Sequence, residues 1–168
     1  YNYIMEKNKE ISYEEFEEFI ERYFLQSVKE MKDYNDEQND VDSVEQYKST
    51  IDEGMMDNIS QLVDEGTFKE YGPLVVARQH QRRSDEELRQ QTPADGLVAG
   101  IGSINGRNFS PEKARAMVLS YDYTVLAGTQ GGRNHYKQDR MFELAERFKL
   151  PVVFFTEGGG GRRARRRA

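Results

Sequence analysis

Residues 150–162 read LPVVFFTEGGGGR, and this stretch decides the fold. Leu150 to Phe155 is an apolar run of β-branched and aromatic residues, too short for a helix. Pro151 sits near its start, where a strand tolerates proline. Four glycines follow, Gly158 to Gly161, and then Arg162. A buried strand that opens into consecutive glycines delivers bare backbone N–H groups to one place. With no Cβ in the way, a ligand oxygen approaches them closely. Such a construction binds an anion or stabilises a developing oxyanion.

Moving back along the chain, the spacing of Met141, Leu144, Ala145 and Phe148 predicts a helix over 134–149. Before it lie a glycine-rich stretch at 128–132, a short strand at 124–127 and a strand at 117–122. With the strand at 151–156 these make a β-β-α unit that returns to its sheet. The glycines after each strand then fall on related edges. His135, Lys137 and Arg140 lie in the first half of the helix. His135 has no Ser or Cys nucleophile and no second His near it, so a satisfied structural histidine is expected.

Upstream, 97–104 reads as a strand with Gly100 and Gly102, and Asn105-Gly106 signals a two-residue hairpin. The string GIGSING has G-x-G-x-x-x-G spacing with a hairpin where a helix should begin, so it is not a dinucleotide fingerprint. Ser110-Pro111-Glu112 starts a short helical turn. TPADG, residues 92–96, is a turn, and Ser84 with Glu87 is a capping box before a helix ending near Gln91. Short strands are expected at 67–71 and 74–77. In ARQHQRRS, His80 reads as a solvated loop residue; the alternative is that Arg78, Arg82 and Arg83 meet phosphate groups.

The first third is different. Ser12 and Glu15 have capping-box spacing, and Phe16, Phe19, Ile20, Tyr23, Phe24, Val28 and Met31 mark one face of a helix over 13–32. A second helical stripe runs from Val44 to Val63, weakened by Gly54. Between them, YNDEQNDVD (34–42) is an acidic linker whose spacing is not that of a calcium loop. Residues 1–66 carry 19 acidic and 6 basic side chains, whereas 67–168 carry 11 and 18, five of the basic ones being arginines in the last seven positions. The 168 residues suffice for one domain with a real core. No cysteine is present, which excludes disulfides and thiolate metal sites and fits a reducing, cytoplasmic location. No apolar run approaches the ~20 residues that span a bilayer. The N-terminus carries no signal peptide and no initiating Met, so residue 1 is expected to lie inside a longer product.

DYTVLAGTQGG, the helix with Lys137 in its first turn, and LPVVFFTEGGGGR resemble the carboxyltransferase domain of biotin-dependent acyl-CoA carboxylases. LVDEGTFKEYG, ARQHQRRS and TPADGLVAGIGSING agree, and their wording is closest to the large single-chain bacterial acyl-CoA carboxylases. The resemblance covers about residues 57–162. It implies an α/β, crotonase-like (ClpP/crotonase) fold of β-β-α repeats, here truncated to its N-terminal half, with 1–56 as an acidic helical extension and 163–168 as a non-native or disordered basic tail. It implies transfer of CO2 from carboxybiotin to the α-carbon of an acyl-CoA, in fatty acid metabolism. Gly159 and Gly160 are the implied oxyanion-hole donors. Gly161 stands where the family often has Ala; Arg162 matches its Arg, and Lys137 matches a lysine placed near CoA. The implied partners are biotin carboxylase and biotin carboxyl carrier domains and further copies in a homo-oligomer, with no metal and no membrane. A chain holding only half the site is expected to be inactive alone.

Two other readings stand beside this one. The same domain occurs in biotin-linked acyl-CoA decarboxylases, and the acidic helices suit a non-catalytic interaction module. The arginine-rich end as a nucleic-acid-binding tail is the weakest reading, since short Arg runs bind phosphate without specificity.

Overall fold

The computed structural model describes Ser12, residues 14–19, Arg22 and residues 53–161. In chain order the elements are helix α1 (14–19), helix α2 (Glu53–Leu62), strand β1 (Lys69–Glu70), helix α3 (Asp85–Gln91), strand β2 (Leu97–Ser103), helix α4 (Pro111–Ala114), strand β3 (Arg115–Tyr121), strand β4 (Thr129–Gln130), helix α5 (Gly132–Phe148), strand β5 (Val152–Phe155) and strand β6 (Gly160–Gly161). Single 3-10 turns occupy Pro93–Gly96 and Leu126–Gly128.

The main sheet has the order β1-β2-β3-β5. β1 and β3 both run antiparallel to β2, and β5 runs parallel to β3. β2 (LVAGIGS) and β3 (RAMVLSY) are buried on both faces, which is why they read as near-continuous apolar runs rather than alternating ones. Their side chains still separate by period two. Leu97, Ala99, Ile101, Met117, Leu119 and Tyr121 face one core with Met141, Leu144 and Ala145 of α5. Val98 and Val118 face a second core with Ile59 of α2. The i, i+3, i+4 spacing of Met141, Leu144 and Ala145 gives α5 the single apolar stripe needed to lie on the sheet.

Phe16 of α1 belongs to the first core, 2% exposed, with its ring edge-on to Phe148 at 4.7 Å. Lys69 of β1 donates to Glu17 at 2.8 Å. The described part of the N-terminal helix is therefore packed on the body. Its capping box forms as expected: Ser12 N–H donates to Glu15 Oε2 at 2.8 Å and Glu15 N–H to Ser12 Oγ at 3.2 Å. The Ser84–Glu87 box of α3 forms too. The linker 34–42 and the stripe from Val44 to Asp52 lie outside the described residues.

Several expectations are corrected. Residues 74–77 are not a strand but a buried loop: Val75 N–H bonds back to Gly72 O, and Ala77 N–H goes to the Thr92 hydroxyl instead of a ladder. Residues 124–127 are not a strand, because the Asp122 carboxylate accepts from the Thr124 backbone and hydroxyl and winds the chain into a turn. The β-β-α unit is consequently β2-β3-α5-β5. Asn105-Gly106 is no two-residue hairpin; Asn105 takes φ 55°, Gly106 N–H donates to Asp64 at 2.7 Å, and the reversal is closed lower down by Ile104 N–H on Ala114 O. His135 is exposed rather than structurally satisfied.

Candidate oxyanion site

Because β3 and β5 are parallel, their C-terminal ends open at the same edge of the sheet. Ligands of open α/β sheets bind beyond such ends. Here the two following loops meet. β4 pairs parallel with β6, Thr129 opposite Gly160 and Gln130 opposite Gly161. Just ahead of that pair, Gly159 N–H donates to Gly128 O at 2.9 Å.

The glycines divide into two kinds. Gly128 has φ +65°, and a Cβ there would sit 3.1 Å from Glu157 O, Gly158 Cα and Gly159 N. A Cβ on Gly159 would lie 2.4 Å from Ala127 O. These residues are glycine so that two backbones can touch. A Cβ on Gly160 or Gly161 would meet nothing within 4 Å, and both residues are exposed. The space on their Cβ side is open, although both residues also pair with β4 through their backbone.

Gly159, Gly160 and Gly161 lie exposed at this edge. The structure amends the donor assignment in one respect: the Gly159 amide is engaged by Gly128, because the loops approach closer than any side chain permits. Arg162 lies outside the described residues.

Lys137 is corrected more strongly. The family resemblance implies a place for it near CoA, but it is 1% exposed and points inward. Its Nζ donates to Leu97 O and, at 3.2 Å, to Gly72 O, with Glu70 at 3.9 Å. Burial pushes its pKa down from 10.5 to about 8, while the Glu70 and Asp95 carboxylates pull the other way. One turn into α5 and on its buried face, Lys137 ties the helix to the loop after β1 and to the start of β2. It is a structural strut here.

His80 Nδ1 lies 2.8 Å from Asp85 Oδ1, which accounts for its place in the loop; Arg78 and Arg82 are exposed. Among the described residues no group of three or more His, Cys, Asp or Glu is placed to hold a metal ion. No described helix is long and apolar enough to cross a membrane.

Sequence reasoning missed Asp95, Gly128 and Asn134. One signal was available: the residue before α5, Gly131, has no side chain to cap it, so the helix's first N–H groups need an acceptor from elsewhere.

Residues 52–167 match the carboxyl transferase domain model. The chain belongs to the carboxyl transferase domain family. The carboxyl transferase domain here is 33% identical over 107 residues to the propionyl-CoA carboxylase beta chain of Roseobacter denitrificans, covering 63% of this chain and 19% of the relative. It is 31% identical over 119 residues to the methylmalonyl-CoA carboxyltransferase 12S subunit of Propionibacterium freudenreichii subsp. shermanii, covering 71% and 21%. Among solved structures it resembles a single-chain, multi-domain long-chain acyl-CoA carboxylase at 50% identity and TM-score 0.65, over 74% of this chain and 14% of that one. The transcarboxylase 12S structure, a hexamer with hydrolysed methylmalonyl-CoA bound, matches at 26% identity and TM-score 0.54, over 73% of this chain and 22% of that one. The chain spans about a fifth of the length of the curated relatives. The mixed sheet with its β-β-α return is the crotonase-like arrangement of these transferases.

Proposed function

We propose that this domain supplies the thioester side of an acyl-CoA carboxyltransferase, which moves CO2 between carboxybiotin and the α-carbon of an acyl-CoA. The observation that carries this reading is the clasp of two glycine loops beyond β3 and β5, with Gly160 and Gly161 exposed and nothing within 4 Å on their Cβ side. Carboxybiotin, brought by a carrier domain, is the source of the carboxyl group in this reading, and none of the described residues is assigned to hold it.

Forming a carbanion at the α-carbon moves charge onto the thioester oxygen. Backbone donors at Gly159 and Gly160 lower that cost, by about 3 kcal/mol each if they act like other oxyanion-hole donors. For Gly159 to take part, its N–H exchanges the Gly128 carbonyl for the thioester oxygen. Gly161, together with Arg162, which follows it in sequence, is proposed to hold the acyl-CoA there. The enolate is common to carboxylation and decarboxylation, so the same donors serve both directions; one relative is the methylmalonyl-CoA decarboxylase alpha subunit of Propionigenium modestum, 29% identical over 106 residues. We further propose a cytoplasmic setting with biotin carboxylase and carrier domains, and assembly into a homo-oligomer.

Calorimetric titration of the full chain with acetyl-CoA, propionyl-CoA and free CoA tests the reading. Saturable binding that prefers the thioesters supports it. Equal binding of all three, or none, defeats it.

A further inference from the structure

We infer that Asp95 is a positioning residue for the glycine clasp, holding the Asn134 end of the 122–134 segment so that Gly128 meets Gly159. The inference deepens the thioester reading and rests on it for its functional consequence.

Ala94, Asp95 and Gly96 have φ values of 51°, 47° and 74°, three consecutive residues in the left-handed region. L-residues keep such a conformation only where their surroundings impose it. The surroundings are specific. Asp95 is fully buried, and its Oδ2 accepts the backbone N–H of Asn134 at 3.0 Å. Its carbonyl accepts from Asn134 Nδ2, also at 3.0 Å. Asn134 sits in the first turn of α5, whose own N-cap, Gly131, offers no side chain. Asp95 therefore caps the helix from 39 residues upstream, with its negative charge at the positive end of the helix.

The next residue holds the other end. Gly96 O accepts the Asp122 N–H at 3.0 Å. A Cβ on Gly96 would lie 3.1 Å from Val125 Cγ1, so the turn presses directly on the loop that follows β3. One three-residue turn thus grips the segment at Asp122 and again at Asn134. Between those grips lie Gly128, whose carbonyl meets Gly159, and β4, which pairs with β6.

The test compares amide hydrogen exchange in the full chain for wild type, Asp95→Ala and Asp95→Asn, with propionyl-CoA titrations alongside. Asn keeps an acceptor oxygen and tolerates the left-handed region, whereas Ala does neither. Asp95→Ala should raise exchange at Asn134 and Gly159 by about tenfold and leave Leu119 in the core unchanged, while Asp95→Asn stays within about threefold of wild type. Propionyl-CoA binding should weaken about tenfold in the Ala variant and recover in the Asn variant. Faster exchange at Asn134 with Gly159 unchanged overturns the inference. Should Asp95→Ala fail to fold, Asn134→Ala removes only the Nδ2 clamp; it should raise Gly159 exchange by about threefold, and no rise overturns the inference equally. A wild-type chain that does not bind propionyl-CoA defeats the thioester reading instead, and exchange at Gly159 still decides the role of Asp95.

Discussion

The Gly128 carbonyl accepts the Gly159 N–H at 2.9 Å, and neither residue has room for a side chain. This contact joins the loop after β3 to the loop after β5. It makes the glycine run two things at once: Gly159 is a packing residue, whereas Gly160 and Gly161 pair with β4 and leave open space where a Cβ would stand.

That division predicts opposite outcomes for one substitution made twice. Gly159→Ala forces a Cβ to 2.4 Å from Ala127 O and should cost about 1–3 kcal/mol through overpacking. Gly161→Ala meets nothing and should stay within about 0.5 kcal/mol of wild type. Urea unfolding of the two variants measures the difference. Equal effects would mean the loops do not touch as described.

Lys137 should give the chain an alkaline stability increment. Its folded pKa, pushed down to about 8 by burial, lies below the unfolded value near 10.5. Between those values the unfolded chain holds the proton that the folded chain has released, so stability rises with pH there. Below about pH 8 both states hold it and the term is flat. The rise should approach about 3 kcal/mol and vanish in Lys137→Met, read as the difference between the two proteins' urea midpoints across that range.

Phe16 tests whether the N-terminal helix is part of the body. It is buried, edge-on to Phe148, with the Arg115 guanidinium 3.8 Å from its ring centre. Phe16→Ala should destabilise the carboxyl transferase domain by about 3–5 kcal/mol. A loss below about 1 kcal/mol would mark the helix as a loosely attached extension.

The legible parts of this fold were those with local causes. The Ser12–Glu15 and Ser84–Glu87 boxes form between neighbours in sequence, and the stripe of Met141, Leu144 and Ala145 is set by helical period alone. β2 and β3 were readable because strands buried beside a helix are continuously apolar; β5, read as buried, is instead the half-exposed edge strand of the sheet. The failures share a different cause. Residues 124–127 are apolar enough for a strand, but the Asp122 carboxylate turns them; 74–77 are buried as a strand would be, yet Ala77 is bonded to the Thr92 hydroxyl. Lys137 looked like a ligand-binding cation because nothing near it in sequence reveals the Gly72 and Leu97 carbonyls that receive it. Of the site, the glycines were visible as glycines. Which of them packs and which stays open depends on Gly128, 31 residues away in the chain.

The account centres on backbone donors polarising a thioester oxygen, and carbonyl carbon NMR reads that polarisation directly. A [1-13C]propionyl-CoA titrated with the full chain should show a saturable downfield shift of its thioester carbonyl, lost in Gly160→Val. A bound thioester whose carbonyl resonance stays at its free position would contradict the assignment of these glycines as an oxyanion site.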